Sequence, residues 1–166
     1  MTVISTTRDV DALQLVFIAE FDATPERVWK LWQDPRQLER WWGPPGYPAT
    51  FVRHEFVADG QSRYFMSGPD GEKSRGFWRV VAIDEPHSLE IDNGLAGDDG
   101  EPMANVPPGR AIVTIEPSDG KTRMTVVNQF RSIDQMNLML GMGMAEGMGL
   151  ALGQIDGILA EVPHPA

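Results

Sequence analysis

The sequence predicts an α+β fold in which a curved antiparallel sheet of about six to seven strands wraps round one long C-terminal helix. Three observations support this prediction. Short alternating apolar segments fill the middle of the chain at hairpin spacing. Two short helical segments follow the first strand, and a long segment with helical periodicity closes the chain. Its apolar stripe must be buried, and the sheet is the available partner.

The first elements are a strand and two short helices. Residues 13–21 place apolar side chains at every second position, which is typical of a strand with one buried face. Residues 24–26 then combine a capping threonine, a proline at the first helical position and an acid in the first turn. Residues 34–37 repeat this start signal with a capping-box glutamine. The Gly-Pro-Pro-Gly segment 43–46 must end the second helix.

The central part of the chain reads as a run of antiparallel strands. Four are predicted at residues 50–57, 63–67, 77–83 and 89–92. Residues 93–109 are rich in glycine, proline and acids, and they predict a long solvated loop. Two further alternating segments, 111–115 and 124–130, flank a hairpin turn at 117–120.

The C-terminal segment predicts one long helix from a capping box at residues 132–135 to about residue 162. The apolar stripe consists of Met144, Met148, Ala151, Ile155, Ile158 and Val162. Each interior glycine costs a helix about 1 kcal/mol relative to alanine, so the glycines between residues 141 and 157 require a reason. Either they let another backbone approach closely, or they leave volume for a ligand beside adaptable methionines.

Composition limits the classes of function. The 166 residues indicate one domain, 1–166, with its core at about 12–162. Fourteen Lys and Arg stand against 24 Asp and Glu, and a net charge of −10 disfavours nucleic acid and anionic membranes as partners. Cysteine is absent and no secretory signal is visible in the sequence. We therefore expect a cytoplasmic protein that binds neither nucleic acid nor membrane.

The three histidines give little sign of metal or catalytic chemistry. His54 lies within a predicted strand, without an acid or a second histidine at ligand spacing. His87 follows a predicted turn, and His164 lies in the C-terminal tail. No nucleophile-elbow motif accompanies them. The sequence therefore predicts no metal, no cofactor and no identifiable catalytic residue.

Several motifs in chain order resemble a known superfamily. They are Phe21-Asp22-Ala23-Thr24-Pro25-Glu26-Arg27-Val28-Trp29, then Trp41-Trp42-Gly43-Pro44, then Arg63-Tyr64-Phe65-Met66 running into Gly68-Pro69-Asp70-Gly71. With residues 146–159, they resemble the SRPBCC or START-like superfamily, and within it homologues of the C-terminal domain of the heat-shock-protein-90 ATPase activator. The resemblance implies a helix-grip fold like that of birch-pollen allergens, with a cavity between sheet and helix.

The fold and the strand alternation together predict a ligand cavity. Its expected lining is Trp41, Tyr64, Met66, Trp78, Met124, Val126, Asn128, Met144 and Met148. Tyr64 and Met66 are two residues apart and share a strand face. Asn128 is polar within an apolar row, so it needs a hydrogen-bond partner from the backbone, from water or from a ligand. Of the adjacent indoles Trp41 and Trp42, we expect one in the core and one at the cavity mouth.

The predicted function is reversible binding of a hydrophobic or amphipathic small molecule, because such cavities are mostly apolar with a few polar anchors. The resemblance implies an alternative, a chaperone-related interaction module, which would present an exposed apolar patch. A second alternative is a polyketide-cyclase-like enzyme, which needs converging polar groups; Asn128 and Tyr64 are the candidates. The glycines between residues 141 and 157 permit a homodimer, and the resemblance to the superfamily permits one as well.

Overall fold

The computed structural model describes residues 3–161 and has the predicted α+β, helix-grip-like architecture. The strands are β1 (Val3–Asp9), β2 (Gln14–Phe21), β3 (Ala49–His54), β4 (Gln61–Ser67), β5 (Lys73–Asp84), β6 (Ser88–Ala96), β7 (Gly109–Ser118) and β8 (Lys121–Gln129). The helices are α1 (Pro25–Gln33), α2 (Pro35–Trp42), α3 (Ile133–Gly141), α4 (Met144–Gly153) and α5 (Ile155–Leu159). All strand pairs are antiparallel, in the order β1-β2-β8-β7-β6-β5-β4-β3.

The sheet has eight strands, so the prediction of six to seven was too low. The additional strand, β1, pairs with β2 at the edge of the sheet. Its residues 6–9 are exposed, so it carries no alternating apolar pattern there that would predict a strand. The backbone ladder to β2 supplies its hydrogen bonds.

The predicted loop at residues 93–109 begins later than expected. Strand β6 continues to Ala96, and its pairing with β5 extends to the Arg75–Ala96 register position. The glycine and polar residues at 93–94 gave no strand signal, yet pairing with β5 keeps this segment in the sheet. The connection between β6 and β7 therefore covers residues 97–108.

The C-terminal segment is not one long helix, and this prediction was wrong. Gly143 adopts the left-handed conformation with φ 86° and caps α4. The helical segments 133–141 and 144–159 meet at a bend of 59°. A second break at Gln154 separates α4 from α5. Val162, the last residue of the predicted stripe, lies outside the described residues.

The core lies between the sheet and the helices and is rich in tryptophan. Trp29, Trp32, Trp41 and Trp78 are all fully buried. The predicted start signals operate as expected: Thr24 Oγ1 accepts from Arg27 N at 3.2 Å, and Ser132 Oγ accepts from Gln135 N at 3.0 Å.

Among residues 3–161, no single helix is long and apolar enough to cross a bilayer. The bent pair 133–141 and 144–159 reaches the required length and composition only when its two parts are taken together.

Candidate ligand-binding cavity

A cavity of about 270 Å³ lies between the sheet and the break between α3 and α4. Its walls share one property: the described residues that form them are apolar or neutral polar, and none carries a charge. They are Trp42, Pro44, Tyr64, Met66, Asn93, Gly94, Leu95, Asn128, Met139, Met142, Gly143, Met144, Gly147 and Met148. A second depression of about 380 Å³ lies over the turns at residues 22–25 and 117–122 and opens broadly to solvent.

The sheet wall of the cavity is built on β4, β6 and β8. Tyr64 and Met66 are two residues apart on β4, so their side chains face the same side of the sheet. The Tyr64 ring stacks on Phe51, with centroids 4.9 Å apart and an interplanar angle of 30°. Across the ladder, the partner of Tyr64 is Gly76, which leaves room for the phenol ring.

A small polar group lies within this apolar wall. Tyr64 Oη donates to Asn93 Oδ1 at 3.3 Å. Burial raises the pKa of Tyr64 to about 12, so the phenol remains protonated and able to donate even above pH 10. Asn128 is 4% exposed, and its Nδ2 donates to the backbone oxygen of Leu15 at 3.2 Å. The backbone is thus the partner of the Asn128 amide nitrogen.

The indole of Trp42 completes the polar group. Its Nε1 is buried and makes no hydrogen bond to any described residue. The ring meets Tyr64 edge-on, with centroids 5.9 Å apart. The indole N–H lowers the Tyr64 pKa, against the effect of burial, but its geometry does not meet that of a hydrogen bond, so this donor has no partner among residues 3–161.

The helix wall is formed by methionines around the break between α3 and α4. Met139 and Met142 come from α3 and its C-cap, and Met144 and Met148 come from α4. A Cβ atom at Gly143 or at any glycine of α4 would meet no atom within 4 Å. Within this chain the glycines therefore do not serve close backbone approach, and at residues 143 and 147 they widen the cavity.

Five of the predicted lining residues line the cavity, namely Tyr64, Met66, Asn128, Met144 and Met148. The other four, Trp41, Trp78, Met124 and Val126, lie in the packed core and are at most 1% exposed. The tryptophans of α1 and α2 fill this end of the sheet-helix space. Trp32 Nε1 donates to Met124 Sδ at 3.3 Å, and Trp41 Nε1 donates to the Leu31 oxygen at 2.9 Å.

The sequence did not identify several lining residues. Trp42, rather than Trp41, lines the cavity, because α2 turns the Trp41 indole into the core. Asn93 and Leu95 fell within the predicted loop, and only the extension of β6 brings them to the cavity. Met139 and Met142 carried a helical signal, but the bend after α3 decides that they face this space.

Both ring nitrogens of His54 are hydrogen-bonded within the fold. Its Nε2 lies 2.9 Å from the Trp32 carbonyl oxygen and must carry the proton, so Nδ1 accepts from Ser62 Oγ at 2.8 Å. Burial lowers the pKa of His54, opposed by the backbone hydrogen bond at Trp32. Among residues 3–161, no group of three or more His, Asp or Glu side chains could hold a metal ion. His164 lies outside these residues.

Solved structures of other bacterial proteins share this fold. A protein from Arthrobacter aurescens, solved by solution NMR, is 49% identical, with a TM-score of 0.92 over 98% of this chain and 95% of that chain. Protein Ms6760 from Mycobacterium smegmatis is 42% identical, with a TM-score of 0.89 over 98% and 99%. The AHSA1 protein from Silicibacter pomeroyi, at 23% identity, a TM-score of 0.71 and coverage of 89% and 97%, shares the fold.

A family model also matches the sequence of this chain. No curated protein matches the chain significantly. The family model described as "Activator of Hsp90 ATPase homolog 1-like protein" matches residues 22–160, which include every lining residue of the cavity. The chain therefore belongs to the family of activator of Hsp90 ATPase homolog 1-like proteins.

Proposed function

We propose that this protein reversibly binds a hydrophobic or amphipathic small molecule in the cavity between the sheet and the α3–α4 break. The observation that carries the proposal is a cavity of about 270 Å³ with an uncharged, predominantly apolar wall. This volume lies just below the range of ligand pockets for drug-sized molecules, roughly 300–1,000 Å³, and so suits a small ligand. The few polar groups would orient the ligand, while burial of its apolar surface would supply most of the affinity.

The composition of the helix wall supports this proposal. Methionine is unbranched and polarisable, so Met139, Met142, Met144 and Met148 can adapt to apolar molecules of different shape. Gly143 and Gly147 leave this wall without side chains at two positions. A wall made only for core packing would gain stability from alanine or leucine at residue 147, which lies within α4.

The proposal is tested by titrating the protein with N-phenyl-1-naphthylamine, an uncharged apolar probe that fluoresces more strongly in apolar surroundings. We expect Met148→Trp to fill the cavity and to weaken probe binding by at least about tenfold, the equivalent of roughly 1.4 kcal/mol. The matched control is Leu150→Trp, two residues away on α4, where the native side chain is 59% exposed. This variant should bind the probe like the wild type.

Two outcomes of the probe titration would contradict the proposal. Unchanged probe affinity in a Met148→Trp variant that unfolds cooperatively would place the probe outside this cavity. An absence of probe binding to the wild type, combined with an absence of direct heat of binding in calorimetry, would count against the function itself.

A second candidate function is a chaperone-related interaction module. Two observations favour it: the description of the family model, and three exposed apolar side chains, Leu138, Met142 and Leu150, on and between α3 and α4. The test measures the ATPase rate of an Hsp90-type chaperone with and without this protein. We expect stimulation that a Leu138→Glu/Leu150→Glu double variant loses while still binding the apolar probe. An unchanged ATPase rate with the wild type would reject this candidate.

A further inference from the structure

We propose that the ligand is an uncharged apolar molecule with a hydrogen-bond acceptor, such as a ketone, ester or amide carbonyl, received by the N–H of Trp42 and the hydroxyl of Tyr64. This inference rests on the proposed binding function and adds the chemical class of the ligand. It depends on two donors placed side by side in the cavity wall and on the lack of charge among the described lining residues.

The first donor is Trp42 Nε1. Trp42 lines the cavity, is 7% exposed, and its Nε1 is buried without a hydrogen-bond partner among residues 3–161. An indole N–H can only donate, so the group that satisfies it must be an acceptor. Trp29 and Trp78 also have unpartnered Nε1 atoms, but neither lines the cavity. Of these three indoles, Trp42 is the one whose side chain lines the cavity.

The second donor is the hydroxyl of Tyr64, whose ring meets the Trp42 ring edge-on. Its hydrogen bond to Asn93 Oδ1 is long, at 3.3 Å, so a ligand acceptor competes with it easily. Asn128 Nδ2 already donates one of its two hydrogens to the Leu15 oxygen, which leaves at most one for a ligand. The two neighbouring donors therefore match one acceptor atom with two lone pairs, as in a carbonyl oxygen.

Charge excludes the obvious competitor, a carboxylate. The described lining includes no Lys, Arg or His to pair with an anion, and burying an unpaired charge is strongly unfavourable. Arg63 is next to Tyr64 in β4 but contacts the Phe77 ring and Glu101 instead of lining the cavity. The net charge of −10 adds a long-range repulsion for anions. A cationic ligand would find no carboxylate in the described lining either.

The experiment compares three probes with the same phenyl-alkyl skeleton at pH 8: 4-phenyl-2-butanone, 3-phenylpropanoate and butylbenzene. Each is measured by displacement of N-phenyl-1-naphthylamine and by calorimetry. The ketone and the carboxylate have nearly the same shape, so their difference reports charge. We expect the ketone to bind at least about tenfold more tightly than the carboxylate.

Variants then test the donors. Trp42→Phe and Tyr64→Phe each keep an aromatic ring but remove one donor. Each should lower the affinity of the protein for the ketone about five- to tenfold. Butylbenzene has no acceptor, so its affinity should change by no more than about twofold. Trp29→Phe is the matched control, since it removes an unpartnered indole N–H outside the cavity. It should change the affinity of neither probe.

The outcomes separate the inference from the function on which it rests. Binding of 3-phenylpropanoate as tight as that of the ketone would overturn the uncharged class. The donor assignment would be overturned if Trp42→Phe and Tyr64→Phe both lowered the affinities for the ketone and for butylbenzene by equal factors. Two variants are used so that poor folding of one does not decide the result. In either case, if Met148→Trp fills the cavity and loses probe binding, the proposed binding function would still stand. A wild type that binds none of the compounds would reject both.

Discussion

Gly76 lies directly across the β4–β5 ladder from Tyr64, and a Cβ atom at residue 76 would stand 2.3 Å from the Tyr64 hydroxyl oxygen and 2.4 Å from its Cζ. No real side chain tolerates such contacts, so the position of the phenol ring depends on the missing side chain of its neighbour. The glycine that permits this ring position thereby shapes the sheet wall of the cavity.

The first prediction concerns this contact. Gly76→Ala must displace the Tyr64 ring, and we expect it to lower the free energy of unfolding by about 1–3 kcal/mol, as overpacking does. It should also weaken binding of N-phenyl-1-naphthylamine, because the ring enters the cavity. Urea unfolding and probe titration measure the two effects. Gly109→Ala is the control, since its Cβ would meet the Gln129 oxygen at an ordinary 3.4 Å. Wild-type probe affinity in Gly76→Ala would contradict the assigned role.

The second prediction compares two glycines whose added Cβ atoms would have the same free space but whose backbone conformations differ. A Cβ at Gly143 or at Gly149 would meet nothing within 4 Å. Gly149 lies inside α4, so Gly149→Ala should raise the free energy of unfolding by about 0.5–1 kcal/mol. Gly143 has φ 86°, so Gly143→Ala should lower it by about 1 kcal/mol. Denaturant unfolding of both variants checks the signs, and equal signs would contradict the left-handed break.

The third prediction concerns His54 and pH. Burial lowers its pKa below the ordinary value of 6.5, so between that value and the folded-state pKa the unfolded chain binds more protons. The stability that the neutral imidazole contributes is therefore present above about pH 6.5 and lost as the pH falls through the folded pKa. Urea unfolding from pH 8 to pH 5 should show a steeper loss for the wild type than for His54→Gln. Parallel pH profiles would contradict this assignment.

The fourth prediction concerns Tyr64. Because burial raises its pKa to about 12, the folded protein holds this proton above pH 10, where the unfolded chain releases it. The associated stability is present below about pH 10 and is lost as the pH rises toward 12. In a Tyr47→Phe background, which removes the other of the two tyrosines, absorbance at 295 nm should show phenolate only near pH 12. Ionisation near pH 10 in the folded protein would contradict the buried position.

Local sequence patterns predicted much of the fold and part of the cavity. The start signals at Thr24 and Ser132 predicted α1 and α3, because a capping side chain acts within its own turn. Alternation placed Tyr64 and Met66 on one face of β4, and the helical period placed Met144 and Met148 together. Each of these signals depends only on residues within about four positions of one another, so no tertiary information was needed.

Other features depended on partners distant in the sequence. Strand β1 is ordered by its ladder to β2, although residues 6–9 are exposed and carry no buried face. The extension of β6 to Ala96, which brings Asn93 and Leu95 to the cavity, depends on pairing with β5. The break at Gly143 was hidden because glycine is compatible both with a helix and with the left-handed region.

The sequence by itself determined the α+β class, the order of the central elements and the methionine-rich character of the closing segment, since periodicity and caps are local properties. Packing between segments that are distant in the sequence determined which of the adjacent indoles faces the cavity. Trp41 and Trp42 occupy neighbouring positions of α2, about 100° apart round the helix. The packing of α2 against the core therefore turned the Trp41 indole inward and left the Trp42 ring edge-on against Tyr64.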